Sequence, residues 1–166
     1  MPKTATTALL MVLALMTNGT NCARTKPDQL DQLGKIRLLI EGQPFELWIA
    51  DNTAEQAQGL MFVTAERMAP LADGTQRGMI FVFDAERQLN FWMRNTIIPL
   101  DIAYLTSGGV VAATHTMAPL DERPGQYPSR SPARYAIEVS AGVWDALGLR
   151  PGDRIEIPAA LLKRTP

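Results

Sequence analysis

Apolar residues in this chain recur at every second position in short segments that are separated by glycine and proline turns. The pattern is clear in residues 35–40, 45–49 and 134–139. Side chains of a β-strand point alternately to its two faces, so this period indicates strands with one buried face. Residues 79–83 form a continuous apolar run, which is typical of a strand covered on both faces.

About eight such strands, together with two or three short helices, predict an α+β domain in which strands dominate. We expect a single compact domain with a curled, barrel-like antiparallel sheet. The length of 166 residues and the hydrophobic content of 46% are ordinary for one globular domain. We predict a signal peptide at 1–22, a flexible linker at 23–34, the domain at 35–158 and a C-terminal tail at 159–166. We expect a monomer.

The N-terminus has the pattern of an export signal. Lys3 supplies a positive charge, residues 8–16 are apolar, and residues 17–19 are a tolerable cleavage site before Thr20. The pattern predicts an exported protein, periplasmic or extracellular. The apolar run is short for a membrane-spanning helix, but an uncleaved anchor remains an alternative. A lipid on Cys22 is another alternative, although residues 19–21 fit a lipoprotein site poorly.

Charge and composition exclude several classes of function. The formal net charge is −1 and no run of Lys or Arg stands out, so we expect no nucleic-acid partner. A single Cys and a single His do not provide the ligands of a zinc site. No glycine-rich phosphate loop and no Gly-x-Ser-x-Gly motif is present. We therefore expect no metal and no cofactor, and membrane contact only through the export signal or a lipid on Cys22.

Residues 90–101 combine two aromatic side chains, a methionine, an arginine, two amides and a carboxylate. The alternation predicts a strand that buries Phe91 and Met93 on one face. This strand should end in a polar corner at residues 94–96, and a new strand should begin near Asp101.

Three motifs carry a resemblance to a known family: Gly-Leu-Met-Phe at 59–62, Gly-Met-Ile-Phe-Val-Phe at 78–83, and the stretch 91–101. Residues 128–129, 135–139 and 152–153 fit the same pattern. Together they make residues 35–157 resemble the DUF192 family. The resemblance implies a compact, β-dominated domain but no particular reaction, because the family has no assigned activity. Gln58 and Val63 stand where the family pattern usually carries arginine. If those arginines bind an anion in relatives, this departure implies a different ligand or none.

The polar corner, with the histidine and the proline-rich loop at 118–133, is the predicted binding surface. Arginine offers a rigid fork to ligand oxygens, and Asn and Thr offer adaptable donors and acceptors. Long ordered loops in compact domains are often functional. We predict a binding module for a small polar or carbohydrate-like ligand in the cell envelope, without assigning a catalytic residue. The candidate ligand-binding residues are Trp92, Arg94, Asn95, Thr96, Asp101, His115, Asp121, Tyr127 and Arg134.

The corner also has a structural interpretation. Asp101 could pair with Arg94 or Arg134, and the Asn-Thr pair could bond the exposed backbone of the corner. His115 shares an apolar strand face and is more often a half-buried, hydrogen-bonded residue than a catalyst. The methionines at 61, 79, 93 and 117 fit core filling better than a Cu(I) site.

Two further functions remain open. The first is a hydrolase that uses Asp101 or Asp121 with His115, for which glycoside cleavage would need two carboxylates at a definite separation. The second is an interaction protein that presents Trp48 and Trp92, which lie opposite the apolar stripes of their strands. The alternative for these tryptophans is burial under a second layer.

Overall fold

In the computed structural model, which describes Met1 and residues 29–162, strands dominate and the helices are short. The strands are β1 Lys35–Ile40, β2 Gln43–Ala50, β3 Gln76–Arg87, β4 Asn90–Phe91, β5 Leu100–Leu105, β6 Val111–Met117, β7 Tyr127–Pro128 and β8 Ala133–Ser140. The helices are α1 Thr53–Gln58, α2 Ala65–Met68, α3 Val143–Leu147 and α4 Ala159–Leu162, preceded by a 3-10 turn at Gln29–Gln32. The predicted β-dominated α+β class is confirmed, with four short helices in this part of the chain rather than two or three.

Six strands form one sheet in the order β1-β2-β3-β8-β5-β6, while β4 and β7 pair separately. β1 and β6 are the edges, so the sheet is open and the expected barrel-like closure is absent. The expectation of an antiparallel sheet also fails at one pair, because β2 and β3 run parallel. The chain carries α1 and α2 between these two strands, and a parallel pair requires such a crossover.

Both faces of the sheet are buried. One core cluster, on one face of the sheet, includes Trp48, Met79, Phe81 and Tyr104. The other face carries a second cluster, which includes Phe45 and Trp144 of α3. The prediction that residues 79–83 are covered on both faces is confirmed, whereas β8, whose alternation indicated one buried face, is buried on both. Most residues of β8 are buried, including its carboxylate at position 138.

Trp48 is 3% exposed, so the hypothesis that it is presented to a partner is wrong. It lies under the cationic groups of Lys35, Arg67 and Arg77, at 5.9, 5.9 and 6.0 Å from the ring. Trp92, by contrast, is 51% exposed. Of the two tryptophans proposed as contact residues, the fold leaves Trp92 accessible.

Both ends of the described chain pack on the domain. Leu30, within the segment predicted as a linker, is buried, and so is Leu161 of α4 in the predicted tail. No helix within residues 29–162 is long and apolar enough to cross a membrane. The predicted signal peptide, its cleavage site and Cys22 lie outside the described residues.

Candidate functional site

A pocket of about 400 Å³ opens beside α1, between the end of β3 and the segment that contains β4. Its volume is in the range of small-molecule sites. Buried side chains form the floor: Leu60, Phe81, Thr96 and Glu138. Exposed side chains form the rim: Arg87, Gln88, Asn90, Trp92 and Arg94. The walls add the amides of Gln56 and Gln58, so both apolar and polar groups line the pocket.

Glu138 is the acidic group of this floor. It lies in the central strand β8, directly opposite Met79 of β3 and Ile102 of β5, and both neighbours are fully buried. Its own exposure is 4%. Within residues 29–162, no hydrogen bond or ion pair offsets the burial of its carboxyl group. A buried polar group without a partner is costly, which makes this position unusual for a purely structural residue.

Burial raises the pKa of Glu138 to about 8. Desolvation penalises the charged carboxylate, and no group within residues 29–162 compensates for it. At neutral pH the group is therefore mostly a neutral acid, with one O–H donor and an acceptor oxygen. Burial, together with the charge of Glu138, raises the pKa of the neighbouring Tyr104, whose hydroxyl donates to the Tyr127 carbonyl at 2.5 Å.

The rim carries positive charge. The guanidinium carbon of Arg94 lies 5.6 Å from the centre of the Trp92 ring, and Arg94 has no acidic partner among the described residues. Arg87 lies over the Phe83 ring at 4.7 Å. Its ion pair with Asp84 is long, at 4.0 Å, and both side chains are mostly exposed, so the pair is weak. The pocket thus has an acid at its base and cations at its mouth.

Backbone contacts hold the polar corner in place. Asn95 has a φ of 55°, a left-handed conformation that asparagine tolerates well. Its carbonyl accepts from the Phe62 N–H at 2.8 Å, and the Thr96 carbonyl accepts from the Leu120 N–H at 3.0 Å. Thr96 and its neighbours Trp92 and Arg94 line the pocket, whereas Asn95 does not. The corner is therefore a fixed loop that presents Trp92 and Arg94.

Asp101 has a structural role in α3. It is 2% exposed and accepts three hydrogen bonds, from the Thr116 hydroxyl at 2.7 Å, the Gly142 N–H at 2.8 Å and the Trp144 N–H at 3.1 Å. Its carboxylate therefore caps a helix from another strand. The alternative in which Asp101 pairs with Arg94 or Arg134 is therefore wrong.

Arg134 also lies outside the pocket. Its Nε donates to the Phe83 carbonyl at 3.2 Å and its Nη2 to the Leu162 carbonyl at 3.4 Å. These bonds tie β8 to β3 and to the end of α4. The side chain thus connects elements of the fold.

Side chains within the loop at 118–133 bond to one another. Asp121 accepts two bonds from the Arg123 guanidinium, at 2.8 and 2.7 Å, and one from the Tyr127 hydroxyl at 2.8 Å. These bonds hold the pKa of Asp121 well below its usual range. Desolvation is the main reason that the pKa of Tyr127 is raised. Neither residue lines the pocket of Glu138.

The ring of His115 is hydrogen-bonded to a backbone carbonyl. Its Nε2 lies 2.7 Å from the Pro128 carbonyl, and its ring packs between Tyr104 and Tyr127. It lines a separate hollow of about 180 Å³ with Asp101, but no hydrogen bond joins the two side chains. Arg94, Asp101 and His115 therefore do not converge on one cleft. Among the described residues, no cluster of three His, Cys, Asp or Glu side chains could hold a metal ion.

Sequence reasoning missed Glu138. In the alternating pattern of residues 134–139, this glutamate falls on the face predicted to meet solvent. The available signal was the near-continuous apolar run Tyr-Ala-Ile-Glu-Val at 135–139, since fully buried central strands have such runs. A single glutamate within such a run is expected to be buried with its neighbours.

The motifs that build the pocket, residues 59–62, 78–83 and 91–96, are also the motifs of the family resemblance. The sequence profile of the DUF192 family, described as Uncharacterized ACR, COG1430, matches residues 36–157. The chain belongs to the DUF192 family. No significant match was found among curated proteins.

Two solved structures resemble this DUF192 domain. A protein of unknown function from Novosphingobium aromaticivorans DSM 12444 is 34% identical, with a TM-score of 0.62, over 75% of this chain and 85% of that one. A protein from Sinorhizobium meliloti 1021, described as a candidate transcription regulator, is 32% identical, with a TM-score of 0.63, over 75% of this chain and 94% of that one. The family prediction is confirmed, and these relatives assign no chemistry to the pocket.

Proposed function

We propose that this DUF192 domain binds a small polar, carbohydrate-like ligand in the pocket of Glu138, Trp92 and Arg94. One observation carries the proposal: an almost fully buried carboxyl group, without a partner in the described chain, lies at the floor of an open pocket of about 400 Å³. An unsatisfied buried polar group costs about 1–3 kcal/mol. A ligand that bonds to Glu138 would recover part of that cost.

The other lining residues fit the same ligand class. The exposed ring of Trp92 offers an apolar face for a sugar ring or a similar flat surface. Arg94 offers a fork of N–H donors to ligand oxygens. The amides of Gln58, Gln88 and Asn90 add donors and acceptors around the opening. The composition is that of a site that orients a polar molecule by several hydrogen bonds.

Binding is better supported than hydrolysis. Glu138 is the single carboxylate among the described residues that line the pocket, and glycoside cleavage normally needs a pair. The carboxylates of Asp101 and Asp121 and the Nε2 of His115 are already engaged by other groups. The Sinorhizobium meliloti relative is described as a candidate transcription regulator, a role that would involve DNA. The net charge of −1 of this chain gives no electrostatic support for DNA binding.

We also propose that the domain acts outside the cytoplasm, in the cell envelope, and as a monomer. The support for export is the sequence of residues 1–22, with Lys3, the apolar run and the small residues before Thr20. An envelope location would place the pocket among cell-wall sugars and peptides, which have the polar chemistry that its lining favours.

Isothermal titration calorimetry against a panel of sugars and cell-wall fragments tests the function. We expect binding by the wild type, and a loss of about tenfold or more in affinity for Trp92→Ala and Arg94→Ala, since aromatic and arginine contacts often dominate binding energy. The matched control is Arg150→Ala, because Arg150 is an exposed arginine outside the pocket. Absence of binding by every probe, or equal losses in the control, would overturn the proposal.

A further inference from the structure

We propose that the pocket recognises a zwitterionic ligand, which places a protonated amine against Glu138 and an anionic group against Arg94. This inference rests on the proposed function and specifies the class of ligand. It follows from the arrangement of charge along the depth of the pocket.

The floor of the pocket fits a cation. Glu138 is 4% exposed and lines the pocket without a partner among the described residues. Phe81 and Phe91 line the same cavity, packed edge to face at 4.8 Å, and Trp92 lies at the rim. Aromatic rings attract cations through their π faces, and a buried carboxylate is most stabilised by a hydrogen-bonded cation. An ammonium group satisfies both requirements.

The rim fits an anion. Arg94 is exposed and has no acidic partner in residues 29–162, and Arg87 has only its long contact with Asp84. Both guanidinium groups lie over aromatic rings at the mouth of the pocket. A carboxylate at the mouth would accept the paired N–H donors of Arg94.

Few other charges affect this arrangement. Of the elements around Glu138, β5 contributes Tyr104, and the β3–β4 region contributes Arg87 and Arg94. Arg134, on the same strand as Glu138, donates to backbone carbonyls instead. No second acid among the described residues lines the pocket. The site therefore has an ionisable acid at its base and cations at its mouth, and a neutral sugar would leave the charge of Arg94 uncompensated.

Binding of an amine should release a proton from the protein, whereas binding of a neutral ligand should not. In the free protein near neutral pH, Glu138 holds a proton, because burial raises its pKa to about 8. A bound ammonium group stabilises the ionised carboxylate, so the carboxyl proton passes to solvent while the amine keeps its own. We expect release of about one proton for each ligand bound near pH 7.

Four related sugars test this inference by calorimetry. Glucose is neutral, glucuronate carries a carboxylate, glucosamine carries an amine, and muramic acid carries an amine together with a carboxylate on its lactyl group. We expect muramic acid to bind at least about tenfold more tightly than glucose, and each singly charged sugar to lie between them. Titrations in buffers with different ionisation enthalpies measure the proton release, which we expect for glucosamine and muramic acid only.

Two variants separate the charges. Glu138→Gln keeps the size of the side chain and should remove both the proton release and the preference for amines. Arg94→Gln should remove the preference for the carboxylate and leave the proton release unchanged. If glucose binds as well as muramic acid without proton release, the inference fails while the proposed function stands. If no sugar or cell-wall fragment binds, the proposed function fails and the inference fails with it.

Discussion

Glu138 links the stability of the domain to pH. In an unfolded chain its carboxyl group ionises near pH 4.5, whereas burial raises its pKa to about 8 in the folded domain. Between these values the folded state holds a proton that the unfolded state has lost. The free energy of unfolding therefore falls as the pH rises through this window. Below the window both states are protonated, and above it both are ionised.

Glu138→Gln should remove this dependence, because glutamine stays neutral at every pH. Relative to wild type, we expect little change at about pH 4 and a gain of a few kcal/mol at about pH 8 to 9, since each pH unit in the window corresponds to about 1.4 kcal/mol. Thermal melts of both proteins across this range measure the difference. A difference that stays constant with pH would contradict the raised pKa of Glu138.

Arg94 and Asp101 should respond very differently to substitution. Arg94→Ala should cost less than about 1 kcal/mol, as is usual for exposed side chains without an ion pair. Asp101→Ala should cost about 3 kcal/mol or more, because it leaves the Thr116 hydroxyl, the part-buried Gly142 N–H and the buried Trp144 N–H without their acceptor. Thermal melts of both variants at neutral pH compare them. A drop of many degrees for Arg94→Ala would make the corner structural and remove Arg94 from the site.

At the scale of elements, the contact of β3 with its two neighbours depends on a glycine. Gly78 lies in β3, opposite Leu47 of β2 on one side and Val139 of β8 on the other. A Cβ atom at this position would lie 2.3 Å from the carbonyl oxygen of Glu138 and 2.9 Å from atoms of both neighbours. The strand β8, which carries Glu138, can lie this close to β3 because Gly78 has no side chain.

Gly78→Ala should therefore destabilise the domain by about 3 kcal/mol or more, since backbone atoms would have to move to relieve the overlap. Chemical denaturation measures the loss, or the protein fails to fold. The control is Gly108→Ala, where the new Cβ would meet only the Thr106 hydroxyl at 3.8 Å and the change should stay within about 0.5 kcal/mol. Equal effects of the two substitutions would contradict the close approach of the strands.

At the scale of the whole molecule, the sequence of the N-terminal segment predicts where the pocket works. If residues 1–19 form a cleaved signal, the mature protein should begin at or near Thr20 and leave the cytoplasm, because a short apolar run before small residues is read as an export signal. Intact-mass measurement and N-terminal sequencing of protein from fractionated cells test this. Full-length protein that retains Met1 in the cytoplasm would contradict it.

The sequence alone determined much of the architecture. Alternating residues located β1, β2 and β8, turn residues separated β5 from β6, and the motifs at 59–62, 78–83 and 91–101 identified the family. The same stretch identified Trp92 and Arg94, both of which line the pocket. These features are local, because side-chain alternation and turn chemistry depend on neighbours along the chain.

Tertiary structure alone decided the direction of the β2–β3 pair, the open edges of the sheet, and the burial of Trp48 and Glu138. It also decided that Asp101 caps α3 instead of joining Arg94. An alternating strand looks the same in sequence whether its second face meets water or another layer. Here the second layer comes from α1 and residues 88–96, which are distant in sequence from β8, and their packing turned an apparently exposed glutamate into the floor of a pocket.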